Sequence, residues 1–289
     1  MPLQTRASDY SAEQTRACES VILELHRILG AYWDNIVLVG GWIPTLLANN
    51  ENDPHLGTAD VDLALNHLLI PNEAYGKIHA LLTGHNYRQN TDKAKQFQYF
   101  RTINIEGIDR VVVLDLLTGQ YNIERGKSRR HEPVQDVMAL KARGVDLVFT
   151  RYEVVTIEGD LPDKGGHDSV NLKVAGAAPI IVMKCAAIFS RLKDKDSYDL
   201  YYFIKNYKGG ATAVLEAIKP DIHHGLMTEA LQKLRRHFKT MHASGPAQVA
   251  RFLELADDVE LATRQRDVFE VMNDFLSRAE TLADETPRR

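Results

Sequence analysis

Three short apolar runs place the tightest constraint on what this chain can fold into. Ile36-Val37-Leu38-Val39 ends in Gly40-Gly41-Trp42. Asp60 opens a second run, Val61-Asp62-Leu63-Ala64-Leu65, and the third, Val111-Val112-Val113-Leu114-Asp115-Leu116-Leu117, encloses a single carboxylate. Apolar runs this short and rich in β-branched residues have the length of buried strands rather than of helices. Alternate side chains on a strand share a face, so Asp60 and Asp62 point the same way. Two like charges on one face of an apolar strand repel each other and are costly to desolvate.

Around these runs the pattern predicts a helix over 11–29, capped by Ser11 and stopped by Gly30, then a strand over 35–39 and a helix over 42–49. A polar loop follows at 49–54, then a strand over 61–65 and a helix over 72–83. Strands over 97–105 and 110–117 flank Glu106-Gly107-Ile108-Asp109, which is hairpin chemistry. Residues 125–143 are polar and basic; 145–157 reads as strand or hairpin, 160–168 as a turn-rich loop, and 170–174 as a last strand. From Pro179 the character changes, and helices are expected over 178–192, 195–206, 209–218, 224–239, 246–257 and 263–283. The expected fold class is therefore α+β. A mixed-sheet domain spans 1–176 and an all-helical one 177–289.

Composition narrows the function classes. With 289 residues the chain can bury an ample core. A net charge of -4 excludes a generally basic nucleic-acid binder but leaves room for a local basic patch. No apolar run approaches transmembrane length. The polar, acid-containing start reads as neither a signal nor a transit peptide. Cys18 and Cys185 are far apart and make no zinc spacing. The expectation is a cytoplasmic protein with reduced thiols and no membrane partner.

The carboxylates suggest metal chemistry. Oxygen ligands suit Mg²⁺ or Mn²⁺. Asp60 and Asp62, with Asp115 from a neighbouring strand, make a ligand set able to hold two ions, one activating an attacking oxygen and one steadying a triphosphate. Gly40 and Gly41 would let backbone N–H groups approach phosphate at a helix N-terminus. Thr58 would add a hydroxyl contact or cap the turn. Each part has a plainer reading: solvated edge-strand acids, or an ordinary glycine turn. Asp115 is harder to dismiss, because an acid within a run of six apolar residues needs a partner. The ordered set of strand, Gly-Gly, helix, strand with two acids, and strand with one acid is far rarer than its parts.

A second cluster, Lys184, Arg191, Lys193, Asp194, Lys195, Asp196 and Asp199, lies in the helical part. Lys184 and Arg191 are seven residues apart, hence on one helix face, among Ile180, Ile181, Ile188 and Leu192. The functional reading has Lys184 reaching a nucleotide phosphate or neutralising the metal-site acids. The structural one has it snorkel or pair with an acid, with Asp194 capping the next helix and Asp196 and Asp199 as salt-bridged surface residues.

Taken together, Gly40-Gly41-Trp42, Gly57-Thr58-Ala59-Asp60-Val61-Asp62-Leu63, Asp115, Lys184 and Lys195-Asp196-Ser197-Tyr198-Asp199-Leu200-Tyr201 resemble the AbiEii-type nucleotidyltransferases. These belong to the DNA polymerase β-like superfamily and include toxins of abortive-infection and type IV toxin–antitoxin systems. The resemblance covers roughly residues 20–205. It implies a polymerase β-like mixed sheet followed by a helical lobe, and a metal-dependent transfer of NMP from an NTP to an acceptor hydroxyl. By motif match Gly40, Gly41 and Thr58 bind nucleotide, with Lys184 and Arg191. Asp60, Asp62 and Asp115 hold Mg²⁺ or Mn²⁺, and Asp115 is the candidate base. Asp196 and Asp199 form a second acidic motif, structural or catalytic. Two departures stand out: Gly41 occupies a position where members often carry serine, and 49–54 looks like an insertion, either a specificity loop or a surface excursion.

Some members act on tRNA 3′ ends, which makes RNA the first choice of acceptor and a cognate antitoxin an expected partner. The basic runs Arg125-Gly126-Lys127-Ser128-Arg129-Arg130-His131 and Lys233-Leu234-Arg235-Arg236-His237-Phe238-Lys239 could track a phosphate backbone, although such runs are more often solvated faces. The rivals are a small-molecule nucleotidyltransferase, a protein-modifying one, and a non-catalytic binding module on the same fold.

Overall fold

The structure, a computed structural model, describes residues 6–48, 50–70, 77–120, 131–191 and 193–287. It divides into two compact units. One comprises Ser11–Trp42 and Gly57–Ala175; the other comprises Met1–Tyr10, Ile43–Leu56 and Gly176–Arg289.

The first unit is built on a mixed sheet. Its strands are β1 (Ile36–Val39), β2 (Asp60–Leu65), β3 (Arg88–Gln89), β4 (Gln98–Ile105), β5 (Ile108–Thr118), β6 (His131–Val134), β7 (Val137–Lys141), β8 (Tyr152–Asp160) and β9 (His167–Ala175). They run in the order β3-β4-β5-β2-β1-β9-β8, while β7 pairs with the end of β5 and carries β6. β2 is parallel to β5 and antiparallel to β1, and β1 is parallel to β9. Helix α1 (Ala12–Ile28) begins at Ser11, whose side chain accepts from the Gln14 N–H at 3.2 Å. It buries Cys18, Val21, Ile22 and Leu25.

The two sheet faces differ. Register pairs Arg101 with Val112 and Tyr99 with Leu114, so these share a face, and all four are buried. Glu24 of α1 meets Arg101 there through two bonds, Nε to Oε2 at 3.0 Å and Nη2 to Oε1 at 2.9 Å. The Tyr87 hydroxyl donates to the same carboxylate at 2.6 Å, and Arg101 also reaches Asp163 at 2.6 Å. The opposite face carries Gln98, Phe100, Val113 and Asp115, each only half-buried. The sheet therefore has one side sealed by α1 and one side to which polar groups can be fitted.

The second unit is helical: α5 (Ala177–Ser190), α6 (Asp194–Asn206), α7 (Ala211–Ile218), α8 (Gly225–His237), α9 (Ser244–Phe252) and α10 (Asp258–Glu285). Asp257 caps α10 by accepting from Val259 and Glu260 at 3.0 and 2.9 Å. The segment before α1 joins this unit. The Ser8 N–H donates to Glu254 at 2.9 Å, and the Tyr10 ring packs edge-on against Phe252. Among the described residues no helix is long and apolar enough to cross a membrane.

Several expectations shift. α2 is only Trp42–Leu47, and α3 is Ile78–Gly84, residues 72–76 of the expected helix lying outside the described residues. Val145–Val148 is a short helix, α4, not strand. Gly144 precedes it at φ 90 and turns the chain into a helical first turn. The described part of 125–143 holds the β6–β7 hairpin, turned at Gln135 with φ 54.

Replacing Arg101 with alanine would leave the Glu24 carboxylate half-sealed against α1 without its cation. Arg101→Ala is expected to destabilise the protein by roughly 3–5 kcal/mol, read as a lowered urea midpoint.

Candidate functional site

The sequence-derived residues fall into two groups, one in each unit. In the sheet unit, Asp62 lies directly opposite Asp115 across the parallel β2–β5 pair, and Asp60 lies opposite Val113. Register partners project to the same side, with neighbouring strands about 4.8 Å apart. The three carboxylates therefore share the half-open face, and all three are half-buried. Gln98 of β4 is the next register partner beyond Asp115, and Val39 of β1 pairs with Asp62 on its other side.

Gly40 follows Val39 at φ 77, in the left-handed region that glycine tolerates and other residues resist. A Cβ at Gly40 would run into the Asp62 carboxylate, with Cγ 2.8 Å away. The glycine is thus required by Asp62 as much as by any ligand, which is a role the sequence alone does not show. Gly41 is buried in the same turn. Gly57, at φ 78, likewise gives way to the Thr15 hydroxyl. Thr58 is buried, its hydroxyl 3.5 Å from the Asp60 carbonyl oxygen. The helix expected to aim its N-terminus at phosphate is modest. α2 has six residues, and Pro44 removes one of its first N–H donors.

The metal expectation can be tested against this geometry. Three carboxylates on one face form an all-oxygen donor set, which suits a hard divalent cation. Among the described residues, no three His, Cys, Asp or Glu side chains are already gathered closely enough to hold an ion. Cys18, on α1, offers no thiolate: burial pushes its thiol up, and the Asp60 charge adds to the shift.

The second group is a buried charge cluster in the helical unit. Lys184 of α5 donates to Asp199 at 2.5 Å and to Asp196 at 3.0 Å. Lys195 donates to Asp199 at 2.7 Å. Arg191 grips Asp196 with two bonds of 2.8 and 2.9 Å. Asp199 is 0% exposed. Burial disfavours its charge, but Lys184, Lys195 and His55 outweigh that and hold its carboxyl well below the usual range. Burial also presses on Lys184, yet the Asp199 and Asp196 carboxylates raise it overall. Lys195 goes the other way: burial wins and lowers it. Lys184 pairs with acids as the structural alternative has it, but Asp196 and Asp199 are buried rather than on the surface, since three cations and a histidine compensate them there. Asp194 does not cap α6 either: it lies in the first turn and accepts from Arg251 at 2.9 Å. Leu192, in the same stretch, lies outside the described residues.

His55 is the residue that sequence reasoning missed. Its Nε2 lies 3.0 Å from Asp199 Oδ1, and its Nδ1 lies 3.0 Å from Thr45 Oγ1. The ring stacks on Tyr198 and meets Tyr202 edge-on. Burial lowers its pKa from 6.5 to about 4, so the ring is neutral. Donation to a carboxylate then places the proton on Nε2 and leaves Nδ1 to accept from Thr45. The described part of the 49–54 insertion is tied down beside it. The Asn50 N–H donates to Tyr202 at 3.1 Å, the Tyr202 hydroxyl donates to the Asp53 carbonyl at 2.9 Å, and Asn50 Nδ2 donates to Asn206 at 3.1 Å. The segment is a strap docked on α6, and its aromatic partners, tyrosines four residues apart, are the signal that could have located it.

The basic run at 233–239 is largely engaged within its own unit. Lys233 pairs with Glu229 at 2.7 Å; Arg235 pairs with Glu280 at 2.5 Å and donates to the Leu276 carbonyl at 2.9 Å. His237 lies 2.9 Å from Gln248. Of the other run, residues 125–130 lie outside the described residues.

No protein-family model matches this sequence, and no curated protein or solved structure matches it either. Two outcomes follow from the geometry. The unfolded chain takes up the His55 proton before the folded one does, so the stability of the neutral ring is complete above pH 6.5 and is lost as pH falls to about 4. The loss is ~3 kcal/mol, and His55→Gln should flatten it in urea titrations across that window. Gly40→Ala should cost ~1–3 kcal/mol by the same measurement, because it forces both a left-handed alanine and a displaced Asp62.

Proposed function

We propose that this chain is a metal-dependent nucleotidyltransferase of the polymerase β-like, AbiEii-type class, moving NMP from an NTP to a hydroxyl of RNA. The observation that carries the reading is the register of Asp62 opposite Asp115, with Asp60 two residues upstream on the same half-open face. Such an arrangement serves no packing purpose, since apolar side chains would stabilise that face at lower desolvation cost.

In this reading Asp60, Asp62 and Asp115 hold Mg²⁺ or Mn²⁺. When bound, the ion supplies charge stabilisation at the α-phosphate and the leaving group. Asp115 takes the proton of the acceptor hydroxyl. That oxygen forms the new bond to the α-phosphorus, and the bond from the α-phosphorus to the bridging oxygen breaks to release pyrophosphate. The Asp62–Gly40 contact sets where the first carboxylate sits, and Gly41 keeps the turn narrow. Lys184, Arg191, Asp196 and Asp199 act by fastening α5 to α6. A toxin role and a cognate antitoxin follow from the family resemblance.

A second acceptor class has one observation in its favour. Lys233, Arg235 and His237 are engaged by Glu229, Glu280 and Gln248, which weakens that helix as a track for RNA. A protein or small-molecule hydroxyl is therefore the alternative acceptor.

The test is transfer from each of the four NTPs, labelled at the α-phosphate, to total bacterial RNA with Mg²⁺ or Mn²⁺. The wild type is expected to label RNA with one or more nucleotides, while folded Asp60→Ala and Asp62→Ala reduce transfer to background. Label appearing in protein or a small molecule would keep the enzyme and replace its acceptor. Equal transfer by wild type and variants would refute the metal-site assignment.

A further inference from the structure

The sheet ends on β8, and that edge is unlike a protected one. β8 pairs with β9 without a bulge from Tyr152↔Ala175 to Asp160↔His167. Among the described residues, no backbone hydrogen bond joins β8 to any strand but β9. Its last carbonyl is covered, Asp160 accepting from Ser20 Oγ at 2.7 Å. The strand is nine residues long and contains no proline. Exposed edges are usually shortened, bulged, interrupted by proline or armed with lysine, because their free N–H and C=O groups template further pairing. β3, at the other end of the strand order, is two residues long.

Side chains along β8 divide by position. Val154 is 61% exposed and Tyr152 is 41% exposed, both at the start of the strand. Glu158 and Asp160, at its far end, are exposed on the same face, with Thr156 between. Glu153 adds a third acid, and the strand has no lysine or arginine. The nearby cations are engaged: Lys173 lies over the Tyr152 ring and donates to the Asp34 carbonyl at 2.7 Å, and His167 meets Asp160 at 3.0 Å.

We propose that β8 is a docking edge for an extended basic segment of another polypeptide, which joins the sheet as an added strand. Backbone pairing supplies affinity in this mode, and alternate side chains supply specificity. The fitting segment carries β-branched residues opposite Tyr152 and Val154, and Lys or Arg opposite Glu158 and Asp160, where opposite charges across strands stabilise pairing. A second copy of β8 is a poorer fit, because antiparallel pairing of two identical strands sets Glu158 and Asp160 opposite Val154 and Tyr152 and gives neither acid a cation.

The full chain is titrated with a fluorescent extended peptide carrying Val at two alternate positions in one half and Lys at two alternate positions of the same face in the other, beside its counterpart with Glu in place of Lys, and amide exchange is followed across 152–160. The basic peptide is expected to bind, to weaken with salt and to slow exchange along β8. Glu158→Lys should weaken it about tenfold, equivalent to ~1.4 kcal/mol. Val154→Lys, which adds a charge at the apolar end, should weaken it as well. Equal binding of the acidic peptide, binding without protection of β8, or binding indifferent to Glu158→Lys would overturn the proposal. So would a wild-type dimer in light scattering that Val154→Lys abolishes, since the edge would then belong to a second copy.

Discussion

The helical unit is organised by the desolvation of one carboxylate. Asp199 is fully sealed from water, and a lone charge there would be untenable. It is tolerated because Lys184, Lys195 and His55 all donate to it, from α5, from its own helix and from the strap before β2. Removing any one donor leaves the others facing an imbalance, so three segments distant in sequence are held in one arrangement. Such an ion network need not exceed a hydrophobic core in stability. What it does is penalise every alternative register of α5 against α6, since each would bury a charge without a partner.

This accounting bears on chemistry as well. An ammonium has three donors, and two of those on Lys184 are committed to Asp199 and Asp196. Asp196 in turn is gripped by Arg191 through both oxygens. The second acidic motif therefore behaves as a fastening. In the proposed reading any catalysis falls to the sheet, where Asp60, Asp62 and Asp115 remain half-buried on the face away from α1.

What was legible in the sequence was what strand alternation and helix periodicity enforce locally. Asp60 and Asp62 share a face because they are two residues apart, and the six helices after Gly176 announce themselves by apolar spacing. The β2–β5 pairing that sets Asp62 against Asp115 is a long-range register, and no local pattern encodes it. The β6–β7 hairpin was missed because its two-residue turn, Gln135-Asp136, has glutamine rather than Gly or Asn at the left-handed position. Val145-Asp146-Leu147-Val148 reads as strand by composition. The left-handed Gly144 ahead of it and the bond from Gln120 N–H to Asp146 at 2.9 Å favour a helical turn instead. His55 was invisible for a different reason. A single histidine in a polar loop carries no pattern, and its meaning comes only from Asp199, far along the chain.

Gly40 shows how one residue can satisfy two demands that sequence reading cannot separate. A glycine after a strand was read as clearance for a phosphate. The positive φ and the Asp62 carboxylate already require that clearance with nothing bound. The same narrow turn that would admit a ligand also bears on the direction of a candidate metal ligand, because a side chain at Gly40 would displace the Asp62 carboxylate. Turn and acid are therefore coupled: the left-handed φ and the Asp62 carboxylate both call for glycine at 40, and the place of that carboxylate depends on the turn having no side chain there. A substitution at either position disturbs the other, which ties the local conformation of the β1–α2 turn to the chemistry proposed for the open face of the sheet.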